Sequence, residues 1–263
     1  MNMSPSWLID ERENRLHATA IVGSDVVLGS RNVIGALSVI GGMGCTVQIG
    51  DDNSFGVGCV IGSPAESASG YPGSAHLNFQ EWSKNNSQFV QGVTVGSKCV
   101  IRDRVTIHAG IDESTLIGDL NYLHSNCHID HDCRTGRGVV LAPNVVIGGR
   151  VVLGDFCQIG LGACLHQGSA VGALSMLGMN STLKGSIPEM CLYFGSPARY
   201  RGPNTIRLRR LGLTDEGISV IRKLLETRSL TAQDKSRLKT MTEGLINQST
   251  ADAFQAWSIV QNE

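Results

Sequence analysis

The chain has 263 residues with 22 basic and 23 acidic side chains, a formal net charge of −1, which excludes a general polyanion binder and an acidic tail. It contains 32 glycines but only 7 prolines and 5% aromatics, too little proline for collagen, and too much valine and isoleucine for a disordered linker. No run of 18 apolar residues is present, so no membrane span is expected.

The N-terminal segment from Met1 to Asn14 lacks a charged start followed by an apolar run, so no secretory signal is expected. The eight cysteines (45, 59, 99, 127, 133, 157, 164, 191) form no C-x-x-C pair. They predict a reduced, cytoplasmic chain in which Cys serves as a small apolar side chain.

From residue 23 a six-residue step sets in, with glycines at 23, 29, 35 and 41, then at 50, 56 and 62. The step slips between Gly41 and Gly50. Residues 63–92, rich in Ser, Gly and Asn, break it and predict a loop thrown out from one corner, either functional or decorative. It slips again around 109–121. A stricter series follows: Gly136, Ala142, Gly148, Gly154, Gly160, His166, Gly172 and Gly178. The residues before these are mostly aliphatic (Leu141, Ile147, Leu153, Ile159, Leu165, Val171, Leu177), and those three positions after are small or β-branched.

Helices repeat at 3.6 residues and strands at 2, so neither alone explains this period. Six residues make one flat strand plus one tight corner, and three such sides close a triangular coil of 18 residues. Successive coils then pair as parallel strands about 4.8 Å apart. The aliphatic column is expected at the corners of the prism. The small column, with Cys127, Cys133 and Cys157, is expected inside, where a larger side chain would jam. The predicted fold class is a β protein: a parallel β-helix of hexapeptide repeats.

After Gly195-Ser196-Pro197-Ala198-Arg199 the hexad vanishes. Four amphipathic helical segments follow, beginning near Thr205, Thr214, Thr231 and Thr250, with Thr214 and Thr231 as N-caps. The predicted domains are therefore 1–198, the β-helix, and 199–263, a helical C-terminal domain. The latter carries 11 basic and 7 acidic residues, net +4, mostly a solvated face.

His124, His128, His131 and His166 fall in a narrow axial slab and face outward in this register. The coil length stacks His131 under Gly149 and Gln167, Asp130 under Gly148 and His166, and Asp132 under Arg150. Such a patch suits a general base positioned by Asp130 or Asp132. A metal site built from histidines across a subunit boundary, or incidental surface histidines, are the other readings. His108 is expected to face the same cleft, and His17 to be a repeat-position residue.

The stretches IRDRVTIHAG, HSNCHIDHDC, LAPNVVIGGRVVLGDFCQIG and CLHQG resemble the UDP-N-acetylglucosamine O-acyltransferases of lipid A biosynthesis, and NTIRLRRLGLTDEGISVIRKL resembles their first C-terminal helices. The similarity spans residues 17–225. The resemblance implies a left-handed β-helix, a homotrimer with active sites between subunits, His131 as general base with Asp132 beside it, and Gly149 N–H as oxyanion donor. It also implies His128 and His166 near the sugar, where Gln167 and His108 are expected from their positions in the repeat, and Asn204 and Arg210 near the nucleotide.

The chain departs from that family at Arg150, where the family has a histidine, and at Ile206 and Leu211, where it has Glu and Arg. Met179 stands at the position that measures acyl length, which favours a short acyl group. The turn at 195–199 is similar to that of acetyl-CoA-dependent hexapeptide enzymes, with Lys184, Arg199 and Arg201 as cations for coenzyme A phosphates. The expected activity is therefore transfer of acetyl from acetyl-CoA to an amino group of a nucleotide-linked, UDP-type sugar in surface-glycan biosynthesis. The alternative is the acyl-carrier-protein-dependent 3-O-acyltransferase of lipid A biosynthesis. No metal and no nucleic acid are expected. The same β-helix also hosts zinc-dependent carbonic anhydrases and non-catalytic subunits, a different class kept open here.

Overall fold

Each six-residue step folds as a strand of two or three residues and a tight corner. In the computed structural model, which describes residues 7–42, 44–65, 91–227 and 231–260, consecutive strands enter three different sheets in turn. Val140–Leu141, Val146–Ile147 and Val152–Leu153 lie on three sides, and Gln158–Ile159 returns to pair in parallel with the first, Val140 opposite Gln158. The residue offset of that pairing is one coil. Leu123, Leu141, Ile159 and Leu177 thus form one vertical column, each fully or almost fully buried. The three sheets hold 11, 8 and 8 strands among the described residues. The architecture is the expected β-helix, of the left-handed, hexapeptide-repeat kind.

One detail of the expected packing is reversed. The aliphatic column occupies the flat sides, as the inward residue of each short strand, and the small column follows the corners. A corner needs one residue in the left-handed region, and Asn126, Asp132, Asn144, Arg150 and Phe156 supply it with φ of 63°, 57°, 62°, 59° and 56°. The chain then turns inward immediately, leaving room only for Cys127, Cys133, Val145, Val151 and Cys157, all buried. Seven of the eight free cysteines are buried and Cys164 is exposed. Desolvation pushes the thiols of Cys99, Cys133 and Cys191 up to about 12 and those of Cys45 and Cys127 to about 11.

Holding a Phe or Leu in the left-handed region costs roughly 1–2 kcal/mol. The outward side chains at three such corners, Phe156, Leu174 and Met190, are nonetheless apolar and buried, because the C-terminal helices cover them. These helices are α1 (Thr205–Arg210), α2 (Asp215–Glu226) and α3 (Ala232–Val260). Leu208, Ile218, Ile221, Leu224 and Leu245 complete this second core. Thr214 caps α2 by accepting the Gly217 N–H, and the Thr231 hydroxyl accepts the Asp234 N–H at the start of α3.

Two boundaries shift relative to expectation. β-structure continues past residue 198, because strand Arg199–Pro203 turns back antiparallel to Cys191–Phe194. The last two predicted helical segments join as α3, since nothing between Leu245 and Ala251 breaks a helix. Most of the predicted 63–92 loop lies outside the described residues. No helix among the described residues is long and apolar enough to cross a membrane.

Candidate active site

One edge of the prism gathers most of the predicted chemistry. The corner after strand His128–Ile129 carries Asp130, His131 and Asp132. One coil above, the corner after Val146–Ile147 carries Gly148, Gly149 and Arg150, and the next carries His166 and Gln167. The stacking is direct: the Arg150 N–H donates to the His131 carbonyl at 2.8 Å, and the Gly168 N–H to the Gly149 carbonyl at 2.8 Å.

His131 is nearly buried, and its Nδ1 lies 2.7 Å from Asp132 Oδ2. Asp132 Oδ1 accepts three backbone N–H groups, those of Ile111, Asp112 and Glu113, each at 2.9 Å. Burial works against its charge, but the hydrogen bonds from Glu113, His131, Ile111 and Asp112 outweigh it and hold the carboxyl below the usual carboxylate range. An ionised carboxylate only accepts, so Nδ1 carries a proton, and in the neutral ring this tautomer leaves the lone pair on Nε2. That edge of the ring faces Gly149, where a Cβ would come within 2.5 Å of His131 Cε1 and Nε2. Only glycine leaves the imidazole room, and the Gly149 N–H makes no hydrogen bond among the described residues.

The bulge behind this arrangement is where the six-residue step slipped. Between strands Thr106–His108 and Thr115–Ile117 the chain swings out and is pinned on Asp132. Arg150 Nη2 reinforces it by donating to Asp112 Oδ2 at 2.5 Å, and Arg134 pairs with Glu113. The broken period marked this loop, but no sequence signal connected it to Asp132.

His108 and His128 join the patch on the flat side below. His108 Nδ1 is 3.2 Å from Asp130 Oδ1, which also accepts the His131 N–H at 2.8 Å. Burial works against the charge of Asp130, but the bonds from His108 and His131 leave its carboxyl below the usual range. His128 Nδ1 is 2.7 Å from the Thr106 hydroxyl, a partner that sequence reasoning missed, and the two imidazoles meet edge to face with centroids 4.7 Å apart.

Several expected members lie elsewhere. His124 sits on another edge of the prism, against Tyr122 at 4.2 Å between ring centroids, so it leaves the predicted histidine patch. His17 pairs with Trp7 and Thr19 near the N-terminal end. Asn204 is buried as the N-cap of α1, donating to the Leu174 carbonyl at 2.9 Å. With Arg210, Gln158 and Met176 it lines a cleft of about 180 Å³ on the first-described side of the prism, away from the His131 edge. His166, Lys184 and Arg199 line a groove of about 590 Å³ together with Cys164, Thr182 and Pro197. Arg201 and Met179 are exposed and line neither cavity; Met179 occupies the same edge column as His124.

This edge sets a carboxylate-held imidazole opposite an open backbone N–H on a left-handed hexapeptide-repeat β-helix. No protein-family model matches the chain. Over 133 residues it is 38% identical to the acyl-[acyl-carrier-protein]–UDP-N-acetylglucosamine O-acyltransferase of Burkholderia orbicola, covering 49% of this chain and 51% of that protein. The protein of the same name from Burkholderia thailandensis is 36% identical over 148 residues, 54% of this chain and 56% of that one. The chain thus spans about half the length of the curated relatives it matches. Among solved structures it is similar to the UDP-N-acetylglucosamine acyltransferase from Campylobacter jejuni, with a TM-score of 0.65 over 89% of this chain and 93% of that one at 24% identity. The Moraxella catarrhalis UDP-N-acetylglucosamine O-acyltransferase gives a TM-score of 0.64, 89% and 95% coverage and 23% identity. These structural likenesses establish the common fold.

Proposed function

We propose that the protein is an acyltransferase that moves an acyl group from an acyl carrier protein thioester to a hydroxyl of a UDP-linked amino sugar. The observation that carries this reading is the pairing of His131, its tautomer set by Asp132, with the bare backbone of Gly149 one coil above. The sugar hydroxyl attacks the thioester carbonyl while His131 Nε2 takes its proton. The Gly149 N–H donates to the developing oxyanion, an interaction worth about 3–4 kcal/mol. Collapse breaks the C–S bond, the imidazolium returns the proton to the departing thiolate, and an ester and a free thiol result.

The expectation of acetyl-CoA and an amino acceptor gives way here. The relatives at 35–38% identity are named for an acyl carrier protein donor and O-acylation. Nor do the three cations invoked for coenzyme A converge, since Arg201 does not line the groove of Lys184 and Arg199. His128, His166, Gln167 and His108 are assigned to the sugar side, and the groove beside His166 to the donor arm. Asn204, Arg210 and Met179 lie on other faces, so they reach this edge only from a neighbouring copy. On this reading the complete site lies between the subunits of a homotrimer. Val146 and Val152, 45% and 48% exposed on adjacent flat sides, are apolar surface suited to such a contact.

The test supplies purified protein and UDP-N-acetylglucosamine with acyl carrier proteins bearing acyl chains of graded length, and in parallel with acetyl-CoA. Mass analysis should find an acylated sugar nucleotide, labile to mild base as an ester is, with the carrier protein donor alone. Turnover only with acetyl-CoA, or an alkali-stable amide, would overturn the reading.

A further inference from the structure

We propose that His108, His128 and Asp130 form a site for a single zinc-class divalent cation. One ligand atom from each lies within 4.8 Å of the other two. The three come from two adjacent coils: His108 ends strand Thr106–His108, and His128 and Asp130 flank Ile129 directly above. Two ligands bound to one tetrahedral zinc at about 2.0–2.1 Å stand about 3.3 Å apart. His108 Nδ1 and Asp130 Oδ1 are separated by 3.2 Å. A cation replaces the proton these two atoms share, and small rotations bring in His128.

The surroundings supply what a metal site needs beyond its ligands. The Thr106 hydroxyl fixes the His128 ring through Nδ1, and the His131 N–H orients the Asp130 carboxylate. Asp130 Oδ2 makes no hydrogen bond among the described residues, leaving lone pairs available. His108 is buried with its side chain 8% exposed, and Asp130 is 19% exposed, so the site is semi-enclosed with one open side for a water or ligand oxygen. Two imidazoles and one carboxylate with open positions match zinc and neighbouring transition ions rather than magnesium or calcium, which prefer all-oxygen sites.

Occupancy has a consequence that rests on the functional reading above. The ion takes the imidazole lone pairs assigned to the sugar, so zinc inhibits transfer competitively with the acceptor. Binding itself does not depend on that reading and is measured without turnover.

The experiment titrates the full chain, carrying Cys164→Ser to remove the exposed thiol, with Zn²⁺ by calorimetry and with Co²⁺ by absorbance. One ion per chain is expected, with an intense visible Co²⁺ band of low coordination number. His108→Gln, His128→Gln and Asp130→Asn should each weaken binding about 100-fold, whereas His131→Gln should bind as the parent does while losing turnover. Binding that survives the three ligand changes, more than one equal site, or a weak aquo-like Co²⁺ spectrum would overturn the site. Should a variant lose its far-UV spectrum, the Co²⁺ band of the parent chain decides.

Discussion

Asp132 performs two tasks with two oxygens. Oδ2 sets the His131 tautomer, and Oδ1 gathers the N–H groups of residues 111–113. Asp132→Asn keeps an oxygen for the loop but presents an amide that cannot accept from Nδ1–H. Turnover should fall roughly 10²–10⁴-fold while the melting temperature moves little; a variant with near-parental kcat would remove Asp132 from the mechanism. Gly149→Ala tests the facing side. Its backbone φ is not in the left-handed region, so the loss should come from displacing the imidazole, about 100-fold in kcat/KM with the fold intact.

The cysteines report burial at the same scale. With seven thiols buried, several of them raised to about 11 or 12, a disulfide reagent at neutral pH should titrate Cys164 alone until the chain unfolds. Cys164 lines the proposed donor groove, so an acyl carrier protein donor should slow its labelling. Rapid reaction of several thiols in the native protein would contradict the inward column.

At the scale of the coil, the unit of stability is the ladder repeated from one turn to the next. Asn14, Asn32 and Asn53 stack in this way, each amide oxygen accepting from the coil above, where Cys99 continues the ladder. On the outside Arg31, Asp52 and Lys98 stack at left-handed corners, with Arg31 Nε 2.6 Å and Lys98 Nζ 3.0 Å from the Asp52 carboxylate. The Arg31 hydrogen bond chiefly, with Lys98, holds the Asp52 carboxyl below its usual range despite some burial. A depressed folded-state pKa contributes stability at pH above the unfolded value, near 3.9, and that contribution is lost as pH falls through the folded value. Asp52→Asn should therefore lower the melting temperature at pH 7 and make no difference well below pH 3. Equal destabilisation at both extremes would mean that packing, not the ion ladder, is at stake.

At the scale of the molecule, the residues assigned to the proposed site lie apart within a single chain. The His131 edge, the cleft of Asn204 and Arg210, and Met179 occupy different parts of the prism. The proposed three-fold assembly would bring such parts of neighbouring copies together, and three chains of 28.0 kDa predict about 84 kDa by sedimentation. Dilution that dissociates the trimer should abolish transfer in parallel. A monomer of full activity would require every substrate contact to come from the His131 edge.

Much of this molecule is local repetition, and repetition is visible in a string of letters. Because each residue of the strict repeat contacts its counterpart 18 positions on, the six-residue step sufficed to establish the β-helix, the buried column through Leu141 and Ile159, and the placement of His131 beneath Gly149. Other features depend on directions and on chain that leaves the repeat. The left-handed corner turns Asp132 toward the loop at 111–113, the edge geometry parts His124 from His131, and α1 draws Asn204 into its own cap. Periodicity specifies which coil a residue occupies. The corner torsions, and the segments bound outside the period, decide which groups meet.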